Sequence, residues 1–87
     1  MALLAIQQTV RDYLTWREVH DTLGEEQRDW GVTADAVHRL ACAPDTVLVL
    51  HHFATVAQAR GFLTNRTIRD AMRRAGVEGD PRVEIYA

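Results

Sequence analysis

The chain has 87 residues, a formal net charge of −2 and a hydrophobic content of 47%. A chain of this length buries a low fraction of its surface, so we expect a single domain over residues 1–87 and a tendency to oligomerise. The composition is that of an ordinary globular protein, which excludes intrinsic disorder. All ten basic residues are arginines, but the net charge is negative, so no strong positive field attracts nucleic acid.

The cysteine content and the first ten residues indicate a cellular compartment. Cys42 is the only cysteine, so the chain cannot form an internal disulfide or a cysteine-based zinc cluster. The opening residues are apolar over a short run only and carry no basic leader, unlike a signal peptide or a membrane-spanning helix. We therefore expect a cytoplasmic protein with no membrane partner.

The first third of the chain predicts a strand followed by a helix. Residues 2–9 change from apolar to polar, as in a strand whose far end reaches solvent. A helix is predicted to begin at Arg11-Asp12, where the carboxylate suits the positive end of the helix, and to end at Gly31. Spacings of three and four residues then place six side chains on one helical stripe: Tyr13, Trp16, His20, Leu23, Gln27 and Trp30.

The middle of the chain predicts two strands joined by a short turn. Residues 34–42 alternate, and the parity that contains Ala36, His38 and Leu40 is the more apolar. Residues 43–45 are predicted to form a turn, since proline supplies the backbone angle that a turn needs. Residues 46–53 form the third predicted strand, in which the run Val47–Leu50 places aliphatic side chains on both faces.

The last third predicts a helix, a loop and a final strand. Thr55 is a candidate N-cap for the helix. An interruption is predicted at Thr64-Asn65, after which an apolar face resumes until Gly76 ends the helix. Residues 78–81 are predicted to form an exit loop and residues 82–86 a last strand.

The resulting order, β-α-β-β-α-β, predicts a ferredoxin-like α+β fold: a four-stranded antiparallel sheet with two helices on one face. The helices cover one face of the sheet, but Val47–Leu50 requires cover on both. Burial of each aliphatic side chain stabilises a protein by about 1.5–3 kcal/mol. We therefore predict a homodimer in which two sheets pack face to face.

Three segments of the chain resemble a known family: VRDYLTWREVHD, APDTVLVLHHFATVAQARGF and AMRRAGVEGDPRVEIY. Together they are similar to the dimeric α+β barrel superfamily, and within it to small proteins grouped with the antibiotic biosynthesis monooxygenases. The resemblance covers nearly the whole chain and implies a pocket in each protomer between the helices and the sheet. The superfamily includes cofactor-independent oxygenases, haem degraders, lactone isomerases and members with no known activity, so the resemblance implies a fold more firmly than a function.

Three histidines are candidate catalytic residues. His20 places a polar ring on an apolar stripe, where the family typically has an aromatic or aliphatic residue, and can act as an acid or base near neutral pH. Alternatively, it is a core histidine bonded to a neighbour. His51 and His52 point to opposite faces of their strand, one towards the helices and one towards the dimer interface. Adjacent strand residues cannot both bind one metal without distortion, so no metal site is predicted.

Further residues are candidates for binding a substrate. Aromatic side chains on the helices suit a flat pocket for an aromatic molecule, although such residues more commonly form the core. Polar residues near the helix break can face the mouth of the pocket or form a capped junction. The candidates are Tyr13, Trp16, Trp30, His38, Phe62, Asn65 and Arg66.

Three functional classes follow from the sequence and the resemblance. The first is a tailoring enzyme similar to cofactor-independent monooxygenases of aromatic or polyketide-like natural products, with a histidine as base and no cofactor. The second is a non-catalytic dimer that binds a small ligand or serves as an accessory subunit. The third is haem binding or degradation. It is the least favoured, because such relatives commonly carry a histidine on the second helix and residues 55–75 contain none.

Overall fold

A computed structural model describes all 87 residues. The two predicted helices are each divided in two, and otherwise the predicted order of elements is present. The elements are β1 (Ala2–Val10), α1 (Tyr13–Asp21), α2 (Gly24–Asp29), β2 (Ala34–Leu40), β3 (Ala43–Phe53), α3 (Val56–Phe62), α4 (Arg66–Arg74) and β4 (Val77–Tyr86).

The four strands form one antiparallel sheet in the order β2-β3-β1-β4. The helices lie on one face of it, which confirms the ferredoxin-like arrangement. In the central pair, Leu4 lies opposite His51 and Leu3 opposite His52. Because successive residues point to opposite faces, this register sends Leu4 and His51 beneath the helices and the other pair to the uncovered face.

The core consists of two clusters between the helices and the sheet. One surrounds Phe53 and Phe62, beneath α3, and the other surrounds Trp16 from α1. On β3, Val47, Val49, His51 and Phe53 are buried, whereas Leu48, Leu50 and His52, which alternate with them, are partly exposed. The strand therefore has one fully covered face and one apolar face that this chain leaves uncovered.

The prediction of one continuous first helix is wrong. The helix ends at Asp21, Thr22 closes it by donating its hydroxyl to the carbonyl of Val19 (2.7 Å), and a new helix begins at Gly24. The break changes the rotational phase of the stripe, so Trp30, beyond the end of α2, is 41% exposed. Gly31 follows with a positive φ of 103°, as expected for a residue that ends a helix.

Two predicted loops are strands in the structure. Residues 43–45 belong to β3, which pairs with β2 up to Leu40 opposite Ala43, so the turn lies at residues 41–42. Residues 78–81 belong to β4, where the register with β1 shifts between Gln7 and Thr9. Gly79 has a φ of 66° at this irregularity. A bulge admits an extra residue into a strand, which explains how a glycine and a proline lie within β4.

In the second helical region the predicted cap at Thr55 is confirmed, and the predicted interruption at Thr64-Asn65 is a capped junction. Thr55 Oγ1 accepts from the backbone N–H of Gln58 (3.1 Å) and begins α3. Asn65 Oδ1 accepts from the N–H of Ile68 (3.0 Å) and begins α4, at the predicted interruption. The same amide donates from Nδ2 to Glu26 Oε2 (2.8 Å). Asn65 therefore joins α2 to α4 as well as capping α4.

None of the helices combines the length and the apolar character that crossing a membrane requires.

Replacement of Asn65 by Ala should destabilise the protein by about 1–2 kcal/mol, because the cap of α4 and the bond to Glu26 are lost together. Asn65→Asp retains the capping oxygen but places a carboxylate beside Glu26, so it should also destabilise. Urea unfolding measures both effects. Thr67→Ala, an exposed position on α4 with no side-chain hydrogen bond, is the control and should change little. A stability of Asn65→Ala equal to that of the control would contradict the assigned role.

Candidate functional site

A cleft of about 590 Å³ opens between α4, β4 and the covered face of β1. A smaller chamber of about 40 Å³ lies deeper, between the helices and the sheet. We call these the cleft and the inner chamber. They adjoin, because five residues line both: Ile6, Gln8, Phe62, Ile68 and Met72.

Four buried polar side chains meet at the inner chamber. Gln8, His20, Gln27 and His51 are only 7%, 6%, 5% and 3% exposed, and all line it. Neither glutamine side chain forms a hydrogen bond within the chain. The fully buried side-chain atom without a partner at this chamber is His51 Nδ1. Buried polar groups in native proteins almost always have a partner. The chamber is therefore suited to water or to polar atoms of a ligand.

His51 is a neutral ring in an apolar environment. It lies against Phe62 (ring centroids 5.1 Å apart), and its Nδ1 is buried without a hydrogen-bond partner. Burial, with a smaller contribution from the charge of His20, lowers the pKa of His51 to about 4. An unpaired acceptor is less costly than an unpaired N–H donor, so the favoured tautomer carries its proton on Nε2. His51 is thus better suited to donate a hydrogen bond than to accept a proton.

His20 has a partner that orients it. Its ring stacks on Trp16 (centroids 4.8 Å apart, planes at 16°), and its Nε2 lies 3.5 Å from Asp35 Oδ2 on β2. Burial lowers the pKa of His20, and the hydrogen bond and charge of Asp35 oppose that shift. The His20 and His51 ring centroids are 6.3 Å apart, too far for a direct hydrogen bond. The chamber between them has room for a water molecule.

The structure brings two of the three predicted catalytic histidines together. His20 and His51 both line the inner chamber, whereas His52 lies on the uncovered face of the sheet, opposite Leu3 and Ala34. The sequence placed one of the adjacent pair on each face but could not tell which was which. The register of β3 with β1 answers that question.

The predicted substrate-binding residues are divided between the site and the surface. Phe62 and Asn65 line the cleft, and Trp16 lies fully buried behind His20 with its Nε1 unpaired. Tyr13 lies at the edge of the Trp16 cluster, with the guanidinium of Arg39 4.0 Å from its ring centroid.

Three of the predicted substrate-binding residues lie elsewhere. Trp30, His38 and Arg66 are exposed and line neither the cleft nor the inner chamber. His38 lies on the uncovered face, opposite Leu48.

Sequence reasoning missed three polar residues around the chamber. Gln8 shares a parity with Leu4 and Ile6, so an inward-facing glutamine was detectable, but it was interpreted as the solvent end of the strand. Gln27 was placed on the inward stripe without a role. Asp35 approaches His20 only through the pairing of β2 with β3, which gives no local signal in the sequence.

Folding stability should fall as the pH decreases from 6.5 towards about 4, because His51 binds a proton over this range when unfolded but not when folded. The full stability is present above pH 6.5, and the loss reaches about 3 kcal/mol below about pH 4, where both states are protonated, because one pKa unit corresponds to about 1.4 kcal/mol. His51→Leu should remove this pH dependence and leave a residual slope from His20.

Urea unfolding at a series of pH values measures the dependence. The control is Thr67→Ala, an exposed position on α4 that carries no titratable group and should retain the wild-type slope. Equal slopes for His51→Leu and wild type would contradict the buried neutral state of His51.

Comparison with known proteins identifies the fold. No family model and no curated protein matches this sequence. A structure described as an antibiotic biosynthesis monooxygenase is 12% identical, with 100% of this chain and 97% of the other covered and a TM-score of 0.75. SnoaB, a cofactor-independent oxygenase from Streptomyces nogalater, is 11% identical, with 99% and 90% covered and a TM-score of 0.78.

A further similar structure has no assigned role. NE2512, a protein of unknown function from Nitrosomonas europaea, is 17% identical, with 98% of this chain and 85% of the other covered and a TM-score of 0.76. At these identities the similarity is one of fold. The chain therefore has the ferredoxin-like fold of structures described as antibiotic biosynthesis monooxygenases, as its sequence indicated.

Proposed function

We propose that this protein is a small-molecule tailoring enzyme similar to cofactor-independent monooxygenases, acting on an aromatic or polyketide-like substrate with His20 as general base. One observation carries the proposal: two neutral histidines and two unpaired amides meet at the inner end of an apolar cleft. Buried titratable groups at the end of a cleft are characteristic of functional sites.

The cleft suits a flat apolar molecule with oxygens at one end. Its volume of about 590 Å³ lies within the usual range for small-molecule sites. Phe62, Ile68 and Met72 provide apolar walls that continue into the inner chamber. A hydroxyl or carbonyl at the leading end of the ligand would reach the polar groups that have no partner in the chain.

The two histidines have different chemical roles in this proposal. Asp35 Oδ2, 3.5 Å from Nε2 of His20, favours hydrogen on that nitrogen and so leaves a lone pair on Nδ1 to accept a proton from the substrate. His51 remains neutral and donates from Nε2 to the oxygen on which negative charge develops. Deprotonation by one ring and stabilisation of the anion by the other would act together.

The proposed reaction converts a substrate CH₂ group into a carbonyl. His20 removes one proton, and the resulting carbanion forms a C–O bond with O₂ and becomes a peroxide. The proton returns from His20 to the distal oxygen and gives a hydroperoxide. The remaining C–H bond then breaks as the O–O bond cleaves, and the proton released from carbon combines with the departing hydroxide. One oxygen atom stays on the substrate as a carbonyl and the other leaves as water, so O₂ supplies both oxygens and is the oxidant.

The comparisons support this proposal only through the fold. SnoaB is a cofactor-independent oxygenase, and its similarity extends over 99% of this chain. A non-catalytic dimer that binds a small ligand is the second candidate function. It is favoured by the lowered pKa of His20, which weakens the proposed base.

We also propose that the enzyme is a homodimer formed through the uncovered face of the sheet. Leu48 and Leu50 lie on this face and are partly exposed although both belong to a central strand. A second sheet would bury them and add stability to a small domain.

We place the enzyme in the cytoplasm. Its single cysteine, Cys42, is free and exposed. Free exposed thiols suit a reducing compartment.

Leu48→Arg should convert the dimer into a monomer, because it places a charge in the centre of the proposed interface. Light scattering should give twice the mass of one chain for the wild type and the mass of one chain for the variant. Leu14→Arg, at a position 72% exposed on α1, is the matched control and should remain dimeric. A monomeric wild type would refute the dimer.

Oxygen uptake with a panel of aromatic phenols and polyketides should identify a substrate, after a thermal-shift screen for binding. His20→Phe preserves the stacking on Trp16 but removes the base, so it should lower kcat by about 10²–10⁴-fold. His51→Phe should lower kcat by about 10²–10³-fold, the usual effect of losing one donor to an oxyanion.

Arg60→Gln, an exposed position on α3 with no side-chain contact to the cleft, is the control for oxygen uptake and should retain full activity. Binding without oxygen uptake by any compound, together with undiminished binding by His20→Phe, would refute the enzyme and favour the binding dimer.

A further inference from the structure

We propose that Asp35 is a positioning residue for His20, and that His20 exchanges its ring protons with solvent on the side opposite to the cleft. The proposal deepens the proposed function, since it concerns how the base of that reaction is controlled. It is carried by the position of His20 in the wall between two cavities.

His20 separates two cavities that differ in size and polarity. On the inner side is the chamber of about 40 Å³ that adjoins the cleft. On the outer side is a polar hollow of about 300 Å³, which we call the outer hollow. Only His20 and Gln27 line both spaces. A proton on the His20 ring can therefore exchange with solvent through the outer hollow without passing through the cleft.

Asp35 approaches His20 from the outer hollow. Its Oδ2 lies 3.5 Å from His20 Nε2, and its side chain is 43% exposed. A carboxylate can only accept, so this contact favours the tautomer with hydrogen on Nε2 and the lone pair on Nδ1. Asp35 itself is held in place by the sheet, where it lies opposite His51. The pairing of β2 with β3 therefore fixes the position of Asp35 relative to His51.

The charged groups around His20 leave Asp35 as its counterion. On α1, Arg17 and Asp21 are paired at 3.0 Å, so their charges largely cancel. From α2, Arg28 lines the outer hollow, and from β3, His51 is neutral. Asp35 is the carboxylate whose hydrogen bond and charge act most strongly in favour of protonated His20. Its removal should therefore make protonation of the ring more difficult.

The proton steps balance on the two nitrogens of one ring. When substrate is deprotonated, its bond to hydrogen breaks and an N–H bond forms at Nδ1, while Asp35 stabilises the new positive charge. The proton returns to the peroxide oxygen in the later step. Between turnovers, Nε2–H exchanges with water in the outer hollow. Because the ring is already neutral once its proton has returned to the peroxide, this exchange changes no charge, and it can continue while an apolar molecule fills the cleft.

Nitrogen-15 NMR of the histidine rings, in the full-length protein without ligand, tests the role of Asp35. Wild-type His20 should show the Nε2–H tautomer. Asp35→Asn retains an acceptor but not the charge, so the tautomer should persist while the titration midpoint moves to lower pH. Asp35→Leu lacks both, so it should also give a mixture of tautomers.

Asp45→Asn, an exposed aspartate on β3 with no side-chain contact, is the control and should leave both readouts unchanged. An unchanged tautomer and midpoint in Asp35→Leu would refute the positioning role.

Exchange of the His20 ring proton with solvent tests the route. Thr33→Trp and, separately, Arg28→Trp each place a large ring in the outer hollow and should slow the exchange. Ile68→Trp fills the junction of the cleft and the inner chamber and should leave the rate unchanged. Slower exchange in the Ile68 variant alone would refute the route.

These readouts use no substrate, so they are independent of oxygen uptake. If tautomer and exchange follow the wild-type expectations but no compound is oxidised, the proposed function fails and the control of His20 stands. If oxidation occurs but Asp35→Leu behaves as wild type, the proposed function stands and the positioning role of Asp35 fails.

Discussion

The antiparallel pairing of β1 with β3 is the constraint on which the site depends. In its register Leu4 lies opposite His51 and Leu3 opposite His52, so one histidine enters the protomer and its neighbour leaves it. A shift of one residue would exchange the two rings, place a leucine in the inner chamber and expose Val47 and Val49. The buried valines and the inward histidine are therefore specified together. The same register brings Asp35, paired with His51, to His20.

The inner chamber is costly for so small a protein. Each buried polar group without a partner destabilises a fold by about 1–3 kcal/mol, and His51 Nδ1 and Trp16 Nε1 are both in this condition. A purely structural core at these positions would favour apolar residues of similar size. Conflicts between local chemistry and stability are expected where a protein acts on a ligand. His51 lines the inner chamber and Trp16 stacks on His20, which also lines it, so this conflict is the physical reason for locating the function there.

The elements of the fold were predictable wherever their signals were local. Thr55 and Asn65 act as caps through bonds to residues three positions later. The sequence identified Thr55 as a cap and placed an interruption at Asn65, with a capped junction as one of two alternatives. The break between α1 and α2 was missed because the apolar spacing continues through it as far as Gln27. The strand assignment of residues 78–81 was missed because a glycine and a proline indicate a loop unless a bulge in the neighbouring pairing accommodates them.

The site was predictable only in part, for the same reason. His20 was identifiable because it interrupts an apolar stripe, which is a local pattern. Gln8 and Asp35 resemble solvated residues in the sequence, and their positions follow from pairings between distant strands.

Binding of a ligand and pairing of subunits would use opposite faces of the same sheet. The cleft and inner chamber lie on the side that the helices cover, with the cleft opening along β4, whereas Leu48, Leu50 and His52 lie on the other side. A second copy on the uncovered face would leave the mouth of the cleft free. It would also hold β3 more rigidly, and β3 carries His51 on its covered face. Dimerisation would thus support the geometry of the chamber through the strand that both surfaces share, without supplying a residue to it.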